Sequence, residues 1–294
     1  MLDERAGRLR DRTSVLQVSL LGIDHPACWS RRNSVDAGCP DSRSWSVVRE
    51  SAGRLWAGLA GVPGVPGRGE VAVVVSRGSG LCPPGWTGIV VLDGGALVTV
   101  PDAGLVEPLR RALRGGFGED GVDLPRLSER LSDGLSEGLF ERLEVREVLG
   151  PATLAYVDAE EFVPCHAGAE VERLAVGDRD VGGLLAAVSE QDADESGLAE
   201  VGSAVWVVRA EGGEVVAAAG YQAWSDMAAH VSVLTAEGFR GRGLARTVAS
   251  AAVADALGAG LLPQWRARPE ASRRVARALG FRELGSQVSL RVER

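Results

Sequence analysis

Apolar and polar positions along this chain change their rhythm several times, and the changes mark its parts. Residues 1–45 are polar and mixed, with no steady period, and read as a flexible leader or as the product of an over-called start site. Val47, Val48, Leu55, Trp56 and Leu59 then recur at helical spacing and predict a helix over 46–59. Three short β-rich runs follow, at 71–75, 88–92 and 96–100. The turn Asp93-Gly94-Gly95 joins the last two as a hairpin. Residues 105–113 read as a helix. Leucines at 124, 127, 131, 135, 139 and 143 keep near-helical spacing despite Gly134 and Gly138. The strongest internal boundary falls between Pro164 and Gly168.

The remainder is more regular. Residues 170–175 read as a strand, and Asp178 is placed to cap a helix running to about Ser189. An acidic patch follows, with Glu190, Asp192, Asp194, Glu195 and Glu200. Residues 204–209 and 214–224 form a hairpin around Glu211-Gly212-Gly213, and 227–235 make the next strand. A helix of mostly small residues spans 244–257 and ends at Gly258 and Gly260. A strand at 262–267, a helix at 270–279 and an alternating strand at 288–292 complete the order. The reading is an α/β chain: a leader at 1–45, a smaller α/β domain at 46–168 and a mixed-sheet domain at 169–294.

Composition narrows the function classes. The apolar content suits a folded protein, and no apolar run approaches the length needed to span a bilayer. With no convincing secretory signal, a cytoplasmic location is expected. The net charge of −8 disfavours nucleic acid as a partner. Every basic residue other than histidine is arginine; with no lysine, the chain has no lysine side chain of its own to acetylate. Its four cysteines, Cys28, Cys39, Cys82 and Cys165, form no C-x-x-C pair. His25, Cys28 and Cys39 lie near one another in sequence but read as scattered groups in a reduced compartment, and no metal is expected.

The chemistry concentrates in Val231 to Ala245. A β-rich run ends in a loop with glycines and two arginines, Gly238-Phe239-Arg240-Gly241-Arg242-Gly243, and a helix begins at once. Such a helix start presents amide N–H groups without intrahelical partners, and its dipole adds partial positive charge. Glycine allows close backbone approach, so the expected guest is a phosphate or pyrophosphate. The loop lacks the Gly-Lys-Ser/Thr of a Walker motif and the G-x-G-x-x-G of dinucleotide binders.

The loop does resemble the acyl-CoA loop R/Q-x-x-G-x-G/A of the GNAT N-acetyltransferase superfamily. Arg240 stands first, Gly243 fourth and Ala245 sixth. The stretch Ser272 to Phe281, closing in Leu279-Gly280-Phe281, is similar to the helix N-x-x-A/S…L-G-F that ends the family's motif region. Gln264-Trp265-Arg266-Ala267 resembles the fifth strand of actinobacterial-type members. The element order over 169–294 matches as well. The resemblance implies a GNAT fold with two splayed central strands, 227–235 and 262–267, and acetyl-CoA as acyl donor between them.

By the same resemblance, backbone groups around Val233, Leu234 and Thr235 pair with the pantetheine amides. The N–H groups of Gly241, Arg242, Gly243, Leu244 and Ala245 hold the pyrophosphate. Arg240 and Arg242 add charge, one of them facing solvent, and Ser272 contacts the CoA arm. His230, near the start of the splayed strand, is the candidate base, because it titrates in a useful range; a hydrogen-bonded strand histidine pointing away is the other reading. Tyr221 and Gln222 flank the acceptor cleft, with core packing the other role for Tyr221. The acidic patch is either a roof that attracts a cationic amine or a solvated surface. Where many family members carry a proton-donating tyrosine, this chain has Ala276, and Pro269 replaces a family asparagine.

The function expected is an acetyl-CoA-dependent N-acetyltransferase acting by direct transfer on a primary amine, either a small molecule or a peptide. The protein is expected to be a monomer or homodimer without a membrane partner. The alternatives are a non-catalytic acyl-CoA-binding regulatory module and an interaction scaffold with a vestigial pocket. Residues 46–168 carry no recognised motif and read as a scaffold or acceptor-side domain, or as a degenerate second GNAT-like half.

Overall fold

The computed structural model describes residues 41–113, 117–118, 121–122, 144–165 and 168–293. The leucine-spaced helix expected over 124–143, and His25, Cys28 and Cys39, lie outside the described residues. A ten-stranded mixed sheet organises Asp41–Arg294 as one compact unit, in the order β1-β3-β2-β12-β6-β11-β10-β9-β8-β7.

Helix α1 (Asp41–Ala60) opens the fold. It starts ahead of the predicted Ser46, so the last residues assigned to the flexible leader are helical. Trp45 explains the earlier start: it packs partly buried against the core, and the Arg282 guanidinium lies 4.1 Å from its ring centroid. Val48, Ala52, Leu55 and Trp56 form the buried stripe of this helix.

Strands β1 (Val71–Val75), β2 (Thr87–Leu92) and β3 (Gly95–Val100) follow the predicted runs. β2 and β3 are buried along their whole length because α1 covers one face and α2 (Val106–Leu113) the other. A small hairpin, β4 (Phe117–Gly118) and β5 (Gly121–Val122), lies outside the main sheet.

The long strand β6 (Glu144–Tyr156) is the hinge of the topology. It pairs antiparallel with β11 (Leu262–Ala267) on one side and with β12 (Arg282–Glu293) on the other. The boundary read near residue 168 therefore crosses a continuous sheet, with a strand from the first half seated between two strands of the second. β12 is longer than the predicted 288–292, because β6 and β2 give it a pairing partner on both edges.

Residues 168–293 build the rest: β7 (Glu172–Leu174), α3 (Arg179–Ala187), α4 (Glu190–Ser196), β8 (Val205–Arg209), β9 (Val215–Trp224), β10 (Ala228–Thr235), α5 (Leu244–Gly258), β11, α6 (Glu270–Ala278) and β12. Asp178 caps α3 as predicted, its carboxylate accepting from the Asp180 N–H at 2.9 Å. α5 and α6 cover one face, with Val248, Ala252, Val253 and Ala276 in one cluster with Trp265 and Phe281. The small residues of α5 let it lie close to the sheet. α3 covers the opposite face with Val181 and Leu184 on Val207 and Ala218.

Gly280, the glycine of Leu-Gly-Phe, has φ +91°. A Cβ there would sit 2.1 Å from the Glu161 carbonyl oxygen. Both backbone conformation and space therefore demand glycine at this position. No helix among the described residues is long and apolar enough to cross a membrane.

Candidate active site

β10 and β11 run parallel and pair only at Ala228–Leu262, Ala229–Pro263 and His230–Gln264. Beyond that point each strand keeps its outer neighbour and loses the inner one. β10 stays on β9 through Thr235, while β11 stays on β6 through Ala267. The two strands open into a V. The Ala236 N–H bonds to Val216 O on the β9 side. Antiparallel alternation then directs the backbone groups of Val233 and Thr235 the other way, toward the gap. Thr235 Oγ1 is buried there without a hydrogen-bond partner.

The gap widens into a cavity of about 880 Å³. Val233, Leu234 and Thr235 line one arm, and Trp265, Arg266 and Ala267 line the other. At its mouth lies the loop before α5. Gly241 and Gly243 have φ +77° and +81°, a left-handed conformation that favours glycine. Gly243 is the N-cap of α5, and no side chain caps this helix. A Cβ at either glycine would meet nothing within 4 Å. The loop thus offers open space in front of orphaned helical N–H groups, the geometry of an anion site. A pyrophosphate fits this donor set.

Of the residues expected to bind acyl-CoA, the structure gathers Val233, Leu234, Thr235, Arg240, Gly241, Gly243, Leu244, Ala245 and Ser272 on this one cavity. Ser272 Oγ accepts from Trp265 Nε1 at 3.0 Å, which fixes it on the wall. Arg242 is not brought in. Its Nη2 donates to Gly238 O at 3.0 Å and its guanidinium stands 4.9 Å from the Phe239 centroid, outside the cavity. Arg240 lines the cavity, with Nε on Thr235 O at 3.3 Å and Nη2 on Asp192 Oδ1 at 3.0 Å.

Several lining residues were not singled out by the sequence reading. Arg246 in the first turn of α5 and Arg274 on α6 add positive charge on the loop side. Their sequence signal was helical spacing, since Arg274 shares a helix face with Ala271 and Val275. Leu81, Cys82, Leu149 and Gln287 form the opposite wall, from elements distant in sequence. Gln287 joins the two sides: its Oε1 accepts from Arg266 Nη1 at 3.1 Å, and its Nε2 donates to the Leu81 carbonyl. All of the acidic patch but Glu200 proves to be helix α4, with Asp192, Asp194 and Glu195 on the cavity wall.

His230 does not line the cavity. Its ring stacks on Trp224, 4.5 Å between centroids, and Nδ1 has no hydrogen-bond partner. Burial, and then the positive charge of Arg266, push its pKa down to about 3, with Gln264 offsetting a little. The imidazole is neutral and weakly basic at neutral pH. The chain has two tyrosines, and neither lines the cavity. Tyr156 is buried, with its pKa pushed up to about 12 by desolvation. Tyr221 stacks with Trp206 on the α5 face, and its hydroxyl donates to Asp255 Oδ2 at 2.7 Å. Burial and then Asp255 push its pKa to about 12. Gln222 bonds the Ala223 carbonyl. Ala276 is packed in the core against the sheet.

Residues 203–286, which hold the splay, the loop and α6, match the family model of GNAT acetyltransferases. This segment of the chain is similar to GNAT acetyltransferases. Among solved structures, the chain is similar to a GNAT-family acetyltransferase from Novosphingobium aromaticivorans. That match has 22% identity and TM-score 0.40 and covers 52% of this chain and 67% of the other. A GCN5-related N-acetyltransferase from Kribbella flavida matches at 16% identity and TM-score 0.42, over 69% and 88% of the two chains. A GCN5-related N-acetyltransferase-like protein from Streptococcus suis matches at 17% and TM-score 0.42, over 70% and 84%. No curated protein matches the chain. Within the GNAT segment, the strand order around the splay is completed by β6, which precedes the matched residues.

Proposed function

We propose that this protein is an acetyl-CoA-dependent N-acetyltransferase that moves an acetyl group to a primary amine by direct transfer in a ternary complex. The observation that carries the reading is one cavity joining the open V of β10 and β11 to an uncapped helix start with two left-handed glycines. The pantetheine arm would run along Val233 and Thr235, and the pyrophosphate would sit on the N–H groups at 241–245. Arg240, Arg246 and Arg274 would balance its charge.

The acceptor side would be the wall made by Leu81, Cys82, Leu149, Trp224 and Gln287. There the amine nitrogen attacks the thioester carbonyl. The N–C bond forms, the C–S bond breaks, the nitrogen loses a proton and the CoA thiolate leaves. An alkylammonium at pH 7 pays about 4 kcal/mol to become the neutral amine. His230 is kept out of this proposal, because its ring is off the cavity and its pKa of about 3 gives it little affinity for that proton. Cys82 stands on the acceptor wall, but burial pushes its thiol pKa up, and no cysteine stands in the strand or loop motifs, which favours direct transfer over an acetyl-cysteine intermediate.

A second reading is a non-catalytic acyl-CoA-binding module. It is favoured by the placement of both tyrosines away from the cavity, which leaves no phenol to protonate the thiolate. One experiment addresses both. Acetyl-CoA binding is measured by calorimetry on wild type and on Gly243→Asp, which adds negative charge and backbone strain at the loop. Micromolar binding lost in the variant supports the donor site. Amine-dependent release of CoA thiol then supports the enzyme, and binding without release supports the module. A folded wild type that does not bind acetyl-CoA sinks both.

A further inference from the structure

Helix α4 reaches both arms of the V. Its Asp192 Oδ1 meets Arg240 Nη2 at 3.0 Å, on the loop that follows β10. One turn later, Glu195 Oε1 meets Arg268 Nη2 at 3.0 Å, just past the end of β11. All four side chains line the same cavity. The spacing i, i+3 puts both carboxylates on one helix face. Ser189 Oγ donates to the other Asp192 oxygen at 2.8 Å, and Gln191 Nε2 donates to Glu195 Oε1 at 3.1 Å, so both carboxylates are aimed by their own helix.

The helix also lies against β10 and the 3-10 turn Leu198–Glu200. None of its residues is buried, and Gly197 in the left-handed region ends it after two turns. A segment with no buried side chain opens at low cost. Half-exposed ion pairs are weak and sensitive to salt, so such a fastening can be undone by a competitor.

We infer that α4 is a releasable strap across the splay, in which Asp192 holds Arg240 until the donor's pyrophosphate displaces it. The inference rests on the acyl-CoA reading of the loop. Asp192 places a carboxylate on the arginine that leads the R-x-x-G-x-A motif. A donor anion seated on the adjacent N–H groups competes for the same guanidinium. Its arrival frees one end of α4, while Glu195 keeps the other end on Arg268. The part of the cavity lining that Asp194 supplies then changes shape once the donor is bound.

The test uses the full chain, as wild type, Asp192→Asn and Glu195→Gln. Hydrogen exchange is followed over residues 189–197, with and without acetyl-CoA, and acetyl-CoA affinity is measured by calorimetry. Thermal melts check that the variants are folded. The strap predicts faster exchange in α4 for both variants and, in wild type, on adding acetyl-CoA. It also predicts tighter binding by Asp192→Asn, about two- to fivefold for the loss of one exposed pair. Equal or weaker binding by Asp192→Asn overturns the competition. Unchanged exchange in both variants overturns the strap. If no form binds acetyl-CoA, the acyl-CoA reading fails on its own and the donor-release step falls with it. Exchange in the two variants then still decides whether the ion pairs hold α4.

Discussion

The Trp56 indole N–H donates to the Tyr156 hydroxyl at 2.7 Å, inside the core between α1 and the sheet. Gln264 Nε2 donates to the same oxygen at 2.8 Å. One phenol oxygen therefore ties α1, β6 and β11 together directly beneath the start of the splay. Tyr156→Phe would leave two buried donors without their acceptor, at about 1–3 kcal/mol each before relaxation. We expect a loss of about 2 kcal/mol or more in urea unfolding at pH 7.5. A change within 0.5 kcal/mol, roughly the scatter of surface substitutions, would show the donors are satisfied another way.

A fragment of residues 169–294 should not fold. It contains β11 and β12 but not β6, which pairs with both. Removing β6 opens two edges and exposes the surface that Leu154 and Tyr156 bury. The expected outcome is an aggregated fragment, or one with no cooperative melt. A fragment beginning before Glu144 keeps the strand. A sharp, reversible melt by 169–294 alone would mean that another strand fills the gap.

Gly280→Ala should destabilise by more than about 2 kcal/mol, because the new methyl meets the Glu161 carbonyl and φ is +91°. The strand that follows positions Phe281 beneath Trp265, 5.4 Å between ring centroids. Acetyl-CoA affinity should fall with stability, since Trp265 lines the cavity and holds Ser272. Chemical unfolding and calorimetry on the same preparation check both.

His230 makes stability depend on pH. Its folded pKa of about 3 lies below the ordinary 6.5, so the unfolded chain binds the proton first. Stability from the neutral ring is complete above about pH 6.5 and is lost as pH falls toward 3. The slope is about 1.4 kcal/mol per pH unit for this one group. Unfolding at pH 7.5, 6 and 5 should show that slope in wild type relative to His230→Gln. Parallel profiles would mean the imidazole titrates alike in the folded and unfolded chain.

The glycine loop before α5 was legible because its conformation is local. Arg240, Gly243 and the helix start are contiguous, and left-handed glycine before a helix needs no distant partner to be recognised. Helices α5 and α6 and strands β8 to β11 were legible for a related reason: their runs are bounded by local turn residues such as Gly212, Gly213, Gly258 and Gly260. His230 was harder to judge. Its residue type and strand could be read, but its burial behind Trp224 depends on how β9 and β10 pair. Arg242 likewise has the right neighbours in sequence, yet turns onto Phe239 rather than into the cavity.

By itself, the sequence determined the glycine-rich turn before α5 and the order of the elements, because these follow from backbone conformation and near neighbours. Only the tertiary structure decided that β6 sits between β11 and β12, that α4 pairs with Arg240 and Arg268, and that Gln287 links Arg266 to Leu81. Those contacts join positions from tens to more than two hundred residues apart. Strand pairing and charge pairing depend on geometry assembled over that distance, and the local pattern of polar and apolar residues carries no record of which partner will be met.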